Sequence, residues 1–280
     1  MSNLDAAQLF SVKGLVAVVT GASSGLGEVM AHALDVNSAT KVFILGRRES
    51  KPREVASKAK NGSLILLVCD VTSKESLGAA VSTIEKQTPF INLLIANSGY
   101  LGEVSGMVPR PAEQTPFLVN FKRSSGSYFI FLAFLGLLGA GNTHSDSIGK
   151  SGLLQSQFIS TTSFGGLCRA EAPSYVYNAS KAALNHLTKT LSSEYTKHSI
   201  RANAIALGTF VTEMTEAYTP EGDISVVGSL PWQAIPATRA GTEEDIAGAV
   251  LYLASRAGAF VNGCILLPDG GMLSVRPGSY

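Results

Sequence analysis

The sequence predicts an α/β fold, a doubly wound parallel sheet of about seven strands flanked by helices, in a single domain over residues 1–280. Three observations support this prediction. Short aliphatic runs recur without polar alternation, as in parallel sheets that are covered on both faces. Longer stretches with helical patterning separate these runs. The 280 residues show no compositional break, and α/β folds of this size often form one unit.

The predicted strands and helices alternate along the chain. The strands are the apolar runs LVAVVT, KVFILG, SLILLVCD, INLLIAN, QFISTTS, IRANAIAL and GCILLPD. The helices are expected over residues 25–34, 51–60, 73–87, about 120–138, 174–198 and 242–256. The last helix has a clear start, because Thr242 suits an N-cap and acidic residues follow it, where the helix dipole favours them.

The composition favours a small-molecule partner over nucleic acid or a membrane. Only 15% of residues are charged and the formal net charge is +1, so no strongly basic surface is predicted. The three cysteines lie too far apart in sequence for a zinc knuckle or a disulfide framework, so we expect no metal and a reducing, cytoplasmic location. We expect no signal peptide. The apolar run 128–138 is too short to span a bilayer and predicts a buried helix.

Two segments fit no regular element. Residues 139–152 form a polar, Gly/Ser-rich loop. Residues 210–236 are too long and mixed for a simple connection, which is typical of a binding loop or lid; we expect the substrate loop at about 208–238. This loop contains Phe210, Met214, Tyr218 and Trp232, which indicates a large apolar or aromatic substrate unless these side chains serve ordinary packing.

A glycine-rich turn follows the first predicted strand. In VVTGASSGLGEVMAHAL, Gly21, Gly25 and Gly27 permit a tight turn and close approach to a ligand. The helix that begins there points free N–H groups at a phosphate, which predicts a dinucleotide site in a Rossmann-like sheet. The same letters form G-x-S-x-G, the nucleophile elbow of an α/β-hydrolase, with Ser23 as nucleophile. That alternative needs a histidine late in the chain, whereas the last one is His198, within a predicted helix. A purely structural turn is a third possibility.

The second predicted strand ends in Gly46, Arg47 and Arg48. An acidic residue at this position would bind the ribose hydroxyls of NAD, and none is present. Arginine offers forked donors to a 2′-phosphate, so the sequence favours NADP over NAD. The alternative is a solvated basic turn.

The stretch PSYVYNASKA contains two tyrosines and one lysine. Residues four apart on a helix share a face, so Lys181 serves Tyr177, whereas Tyr175 would need a lysine at position 179, which is alanine. A phenol titrates at about 10, and an acid/base group for neutral pH should titrate at about 7 to 8, a gap of roughly 3 to 4 kcal/mol. An ammonium about 5 Å away supplies roughly 3 kcal/mol at an effective dielectric of about 20. The pair therefore predicts an acid/base tyrosine, although a chance Tyr/Lys pair on a helix is common.

The glycine turn and the tyrosine–lysine pair belong to a longer series of motifs. In chain order they are TGASSGLG from Thr20, CDVT from Cys69, ANSG from Ala96, VN from Val119, STTSFGG from Ser160, YNASK from Tyr177, LGTFVT from Leu207 and PDGG from Pro268. With these motifs in this order, the chain resembles the short-chain dehydrogenase/reductase family over nearly its whole length.

The resemblance implies a catalytic role for four residues. Tyr177 would donate and accept the proton at the substrate oxygen, and Lys181 would hold the nicotinamide ribose and make the phenol more acidic. Ser163 would hydrogen-bond the carbonyl. Asn120 would keep a water in a proton relay behind the lysine.

The resemblance also implies a set of cofactor contacts. Asp70 would contact the adenine, Asn97 would line the cofactor cleft and Thr212 would meet the carboxamide. The full expected set is Gly21, Ser23, Ser24, Gly25, Leu26, Gly27, Arg47, Arg48, Asp70, Val71, Asn97, Gly99, Tyr177, Lys181 and Thr212.

The choice of serine has alternatives, because residues 160–163 are all hydroxylic. The family places a glycine three residues after its active serine, which Gly166 satisfies for Ser163. Ser160 is the alternative, and an inert serine at the strand end is another.

Three departures from the family pattern stand out. Ala96 replaces the first asparagine of NNAG, and Leu207 replaces the proline of PG at the loop that receives the nicotinamide. After Asn120 the usual glycine is delayed to Gly126, which resembles a three-residue insertion that could kink or re-register the helix.

These observations predict an NADP(H)-dependent oxidoreductase that transfers hydride between the cofactor and a ketone or secondary alcohol, with reduction as the physiological direction. By the resemblance, a polyketide-like ketone of secondary metabolism is the expected substrate type. Two alternatives are an NADP-binding protein without turnover and an enzyme of the same fold that dehydrates or isomerises. A homodimer or homotetramer is expected by analogy, since PDGGMLSVRPGSY matches a segment that often packs between subunits.

Overall fold

The computed structural model describes residues 4–47, 55, 57, 59–99, 117–169, 175–212 and 222–278, with the backbone alone described at 117–125. Within these residues seven strands form one sheet: β1 Val16–Thr20, β2 Lys41–Gly46, β3 Leu64–Val68, β4 Leu93–Ala96, β5 Gln157–Ser163, β6 Arg201–Leu207 and β7 Ile265–Leu266. Their order is β3-β2-β1-β4-β5-β6-β7, and every neighbouring pair is parallel. The predicted doubly wound parallel sheet is confirmed.

The helices of the described chain are α1 Ala6–Leu9, α2 Gly25–Val36, α3 Lys74–Glu85, α4 Phe117–Ala140, α5 Tyr175–Glu194 and α6 Glu243–Ala254. The predicted start of α6 is confirmed, because Thr242 forms a capping box with Asp245. The helix predicted over 51–60 lies mostly outside the described residues. The backbone of α4 is helical throughout, so the apparent insertion after Asn120 is accommodated without interrupting the helix.

The two faces of the sheet carry separate hydrophobic clusters. Along β1, Ala17 and Val19 pack on the face covered by α2 and α6, whereas Val16 and Val18 pack on the face covered by α3, α4 and α5. Successive side chains of a strand point to opposite faces, so a strand covered on both faces is apolar at every position. This explains why the strands appear in the sequence as continuous apolar runs.

The apolar run 128–138 lies in α4 and is buried on one side only. Phe131 and Phe134 are fully buried, whereas Phe129 is 59% exposed. The prediction of a buried helix is therefore correct for the side that faces the sheet. Among the described residues, we find no helix with the length and apolar character needed to cross a bilayer.

The predicted polar loop 139–152 begins slightly later than expected, because α4 extends to Ala140. Its second half contains a short 3₁₀ turn at Ile148–Ser151. The loop is tied to the sheet where β4 begins, since Asn92 Nδ2 donates to Ser147 Oγ at 2.7 Å.

A buried carboxylate in the last turn of α2 holds the residues that lead into β3. Asp35 is fully buried, and its oxygens accept from the backbone N–H groups of Lys60, Asn61 and Ser63 and from the Ser63 hydroxyl, at 2.7–3.1 Å. Burial raises the pKa of Asp35, but these hydrogen bonds outweigh burial and hold the pKa below its usual value. The ionised carboxylate therefore stabilises the folded loop.

A buried arginine joins β6 to the end of α6. Arg201 is 3% exposed, and its Nη1 donates to Gln157 Oε1 at 2.8 Å and to the carbonyl oxygens of Gly258 and Val261 at 3.0 and 2.9 Å. Burial lowers the pKa of Arg201 to about 10. Carbonyl groups after a helix C-terminus attract a cation, so this network holds the segment that follows α6 on the sheet.

The strand order reverses between β1 and β4, which are neighbours in the sheet with β2 and β5 on their outer sides. The connections after β1 and β4 must therefore leave in opposite directions, and a crevice opens at the carboxyl ends of the strands. Ligands of open α/β sheets bind in this crevice.

Candidate active site

The glycine turn after β1 adopts a conformation that requires glycine. Gly21 has a φ of +65° and Gly25 a φ of +59°. A Cβ built on Gly21 would lie 2.9 Å from Cα of Ser98, in the connection after β4. Both the backbone conformation and the close approach therefore exclude larger residues at Gly21.

The connections after β1 and β4 are bonded to each other. Thr20 Oγ1 accepts from the backbone N–H groups of Asn97 and Ser98 at 3.2 and 3.3 Å. The Asn97 side chain in turn donates from Nδ2 to the carbonyl oxygen of Gly21 at 3.2 Å. Asn97 thus holds the glycine turn in place at the crevice.

The start of α2 suits a phosphate. Ser24 is the N-cap in an extended conformation, but its hydroxyl makes no capping hydrogen bond to the first turn. A Cβ built on Gly25 would meet no atom within 4 Å, so open space borders the turn. Unsatisfied N–H groups and the helix dipole favour an anion there. Leu26 lies behind the turn and packs against the core on the α2 side.

The ends of β2 and β3 hold the residues expected at the adenosine end of a cofactor. Arg47 directly follows β2 and is exposed; Arg48 lies outside the described residues. Asp70 Oδ1 accepts from the backbone N–H and hydroxyl of Thr72 at 2.9 and 2.7 Å, so this carboxylate shapes the turn after β3. Val71 is partly buried against the core on the α3 side.

Tyr177 and Lys181 lie one turn apart on α5, as predicted. Lys181 is buried, and its Nζ lies 5.5 Å from the ring centroid of Tyr177. The same Nζ donates to the carbonyl oxygen of Thr161 on β5 at 2.9 Å. A Cβ built on Gly99, after β4, would lie 3.8 Å from this Nζ. The ammonium therefore lies between the tyrosine and the crevice. Tyr175, by contrast, is 72% exposed.

The structure separates the two candidate serines. Ser160 is fully buried and its hydroxyl pairs with that of Thr188 at 2.7 Å, so it is committed to packing between β5 and α5. Ser163 ends β5, and its Oγ accepts from the Gly165 N–H at 3.1 Å. This bond leaves the Ser163 O–H proton to donate to another acceptor. The geometry favours Ser163 as the residue that could bind a carbonyl oxygen.

Several polar residues beside this group were not singled out from the sequence. The Asn178 side chain lies against Gly165, next to Ser163. Asn185, one turn after Lys181, is 5% exposed, and neither its oxygen nor its nitrogen has a hydrogen-bond partner among the described residues. The same is true of the hydroxyl groups of Thr161 and Thr162. Buried polar groups of this kind commonly bind ordered water. In YNASKAALN, Tyr177, Lys181 and Asn185 are each four residues apart and so share one face of a helix. This spacing was the sequence signal for Asn185.

Some predicted site residues are only partly described. Asn120 lies in α4, but its side chain is outside the description, and so are Met214 and Tyr218. Thr212 follows β6 and is half-buried. Phe210 is 4% exposed and packs in the core, with its ring against Gly241, so it serves packing and gives no support for an aromatic substrate. Trp232 is 58% exposed.

The hydrolase alternative gains no support. Ser23 lies in the turn between β1 and α2, but it bonds to none of the four histidines, all of which belong to the described part of the chain. His32 instead lies near Glu28 on the same helix, with 3.9 Å between His32 Nε2 and Glu28 Oε1.

Comparisons with known proteins agree with the fold. A family model described as Enoyl-(Acyl carrier protein) reductase matches residues 21–273. The chain is 40% identical to Short-chain dehydrogenase/reductase PhomF of Diaporthe leptostromiformis, over 99% of this chain and 98% of that protein. It is 39% identical to Short-chain dehydrogenase/reductase SAT3 of Stachybotrys chartarum, over 90% and 100% of the two chains. The solved Pseudomonas aeruginosa RhlG/NADP active-site complex superposes with a TM-score of 0.82 at 25% identity, over 94% of this chain and 98% of that one.

Proposed function

The chain belongs to the short-chain dehydrogenase/reductase family of oxidoreductases, and we propose that it is an NADP(H)-dependent enzyme that interconverts a ketone and a secondary alcohol. The observation that carries the proposal is the position of Lys181 Nζ, 5.5 Å from the Tyr177 ring. That pair borders the crevice that also holds the glycine turn. We propose that residues 1–280 act as one catalytic domain, since both core clusters share one sheet.

The glycine turn and the neighbouring strand ends are the proposed cofactor site. Gly21, Ser23, Ser24, Gly25 and Gly27 would hold the pyrophosphate, and Asn97 keeps their turn in place. Asp70 and Val71 would border the adenine, while Gly99, Tyr177, Lys181 and Thr212 would border the nicotinamide end. When bound, NADP(H) supplies or accepts the hydride.

The proton at the substrate oxygen is assigned to Tyr177 in this proposal. The Lys181 ammonium would stabilise the negative charge that develops on the Tyr177 oxygen as its proton moves to the substrate, because opposite charges attract strongly at this distance in a partly dry site. The bond from Lys181 to the Thr161 carbonyl fixes the ammonium against β5. Ser163 would donate its hydroxyl proton to the substrate oxygen and orient it for transfer. Asn120 would complete a relay behind the lysine.

NADP is proposed over NAD because Arg47 and Arg48 stand where an acidic residue would bind the ribose hydroxyls of NAD. Guanidinium groups suit a phosphate through paired donors. The RhlG structure is described as an NADP complex, which supports the same cofactor here.

Consumption of NADPH, followed by its absorbance, tests the proposal most simply. The wild-type protein is mixed with NADPH or NADH and a panel of ketones, from small aliphatic ketones to aromatic and polyketide-like ones. We expect ketone-dependent oxidation of NADPH at a higher kcat/KM than of NADH. Binding of NADPH without oxidation by any ketone, or conversion of substrates without any redox change in the cofactor, would favour the two alternatives and contradict the proposal.

The assembly and location are also proposals. The exposed side chains of Tyr128, Phe129 and Leu132 on α4 support a homodimer or homotetramer, because apolar surfaces of this kind mark contacts between proteins. Multi-angle light scattering should give a mass of two or four chains; a monomeric mass at micromolar concentration would contradict this. None of the three cysteines, all of which lie in the described part of the chain, forms a disulfide, which supports a reducing compartment such as the cytoplasm.

A further inference from the structure

Residues 268–278, here called the C-terminal segment, contact three separate connections at the carboxyl edge of the sheet. These are the connection after β5 that begins at Ser163, the connection after β6 that begins at Gly208, and residues 235–237 of the long loop. The first of these connections follows Ser163 directly.

The contact with the connection after β5 involves both backbone and side chains. The backbone N–H of Arg169 donates to the carbonyl oxygen of Pro277 at 2.7 Å, and Cys168 forms an isolated antiparallel bridge with Gly278. The Arg276 guanidinium lies 5.8 Å from the ring centroid of Phe164, the residue after Ser163. This cation–π contact links the end of the segment to the turn that carries Ser163.

The contact with the connection after β6 is made at the other end of the segment. The Gly208 N–H donates to the Pro268 carbonyl at 3.1 Å, and Thr209 Oγ1 donates to Met272 Sδ at 3.5 Å. Asp269 is 9% exposed, and its carboxylate accepts from the N–H groups of Gly271 and Leu273 at 2.8 and 2.9 Å. The segment is thus folded into a fixed shape where it meets this connection.

The contact with the long loop is made by the glycine pair that lies between Pro268 and Met272. The Ala237 N–H donates to the Gly270 carbonyl at 2.9 Å. A Cβ built on Gly270 would lie 2.8 Å from Ile235 Cγ2, and one built on Gly271 would lie 3.1 Å from Pro236 Cγ. Residues 235–237 therefore pack directly on this glycine pair. One continuous stretch of chain therefore links all three connections.

We propose that the C-terminal segment positions the Ser163 turn relative to Tyr177 and Lys181, with Arg276 as its positioning residue. The inference rests on the proposed function for its catalytic consequence. The Ser163 turn packs on α5, because a Cβ built on Gly166 would lie 2.7 Å from the backbone carbonyl carbon of Lys181. The C-terminal segment contacts the same connection at Phe164 and Arg169, so it contributes to the position of the turn on that helix. Loss of the segment's last residues should leave the fold and cofactor site intact and let the Ser163 turn move.

Four variants of the full chain test this proposal. Truncation after Val275 removes the contacts that Arg276, Pro277 and Gly278 make with the connection after β5, and Arg276→Ala removes the contact with the Phe164 ring. Arg276→Lys keeps a cation for the aromatic ring. Arg256→Ala is the matched control, because Arg256 is exposed and lies beside Gly258, at the opposite edge of the sheet where β6 begins.

Hydrogen–deuterium exchange is the readout that does not depend on turnover. In the truncated protein and in Arg276→Ala, amides of residues 164–169 should exchange about tenfold faster or more, while those of β5 keep their protection. Arg256→Ala should match the wild type. Unchanged exchange at 164–169 in the truncated protein would overturn the proposal, whether or not the wild type reduces any ketone.

Steady-state kinetics with the best ketone of the panel test the catalytic consequence. We expect Arg276→Ala to lower kcat about tenfold, with the NADPH dissociation constant and the melting temperature close to wild type, and Arg276→Lys to recover most of kcat. Faster exchange with a wild-type kcat would show that the segment holds the turn without positioning Ser163, and would overturn the proposal. A wild type that reduces no ketone contradicts the proposed function, and the exchange result then decides the inference alone.

Discussion

Replacement of Lys181 by methionine removes one charge from a buried side chain and leaves its length almost unchanged. The ammonium lies 5.5 Å from the Tyr177 ring centroid. At an effective dielectric of about 20, a unit charge at this distance stabilises a phenolate by about 3 kcal/mol. An energy of this size corresponds to roughly a hundredfold in rate if the phenolate forms in the transition state, as Tyr177 gives its proton to the ketone oxygen. We therefore expect Lys181→Met to lower kcat/KM for ketone reduction at least about a hundredfold.

The assay compares kcat/KM with NADPH in the wild type, Lys181→Met and Lys189→Met. Lys189 lies two turns further along α5 and is exposed, so its replacement makes the same chemical change away from the site. NADPH binding is measured separately by fluorescence, since Lys181 is also proposed to border the nicotinamide ribose. If Lys181→Met keeps more than about a tenth of the wild-type kcat/KM, the electrostatic argument is refuted.

Three further predictions concern stability and cofactor choice. Asp35→Asn should destabilise the protein by roughly 2 kcal/mol in urea unfolding at pH 7. Because hydrogen bonds hold the pKa of Asp35 below its unfolded value, this difference should shrink as the pH falls below about 4; a constant difference would contradict the role of the charge. Arg201→Met should lower the free energy of unfolding by about 3 kcal/mol, since the buried carbonyl groups of Gly258 and Val261 lose a charged donor. An unchanged urea midpoint would contradict this prediction. Arg47→Ala combined with Arg48→Ala should weaken NADPH binding at least about tenfold and leave NADH binding nearly unchanged; equal losses for both cofactors would argue against recognition of a 2′-phosphate.

Most of the sheet was predictable because its strands are covered on both faces. A strand such as β1 has no solvent-facing side, so every position is apolar and the run is conspicuous in the sequence. Asp35 and Arg201 were not predictable, because each is a charged residue buried by partners that lie distant in sequence. Asp35 bonds to residues 60–63, and Arg201 to Gln157, Gly258 and Val261.

The candidate site was predictable where its signal is local. The Tyr177–Lys181 spacing follows from the helical period alone, and the glycine turn is read from consecutive residues. The structure was needed to favour Ser163 over Ser160, because the Ser160 hydroxyl pairs with that of Thr188 across β5 and α5. The same holds for Phe210, whose burial against Gly241 no local pattern indicates.

The contacts of the C-terminal segment likewise depend on tertiary structure. Arg276 lies more than a hundred residues after Phe164, and its position over that ring arises only when the sheet brings β5, β6 and the chain end to one edge. The PDGG motif marks the start of the segment in the sequence but gives no information about where residues 275–278 pack.

In the proposed reaction, the Tyr177 hydroxyl exchanges a proton with the substrate oxygen. Tyr177→Phe removes that hydroxyl, and Tyr175→Phe makes the same change on an exposed tyrosine two residues away. The deciding measurement is single-turnover ketone reduction by enzyme preloaded with NADPH. We predict a loss of about a hundredfold or more for Tyr177→Phe with NADPH still bound, and wild-type rates for Tyr175→Phe. Equal rates in the wild type and Tyr177→Phe would show that the Tyr177 hydroxyl does not transfer the proton.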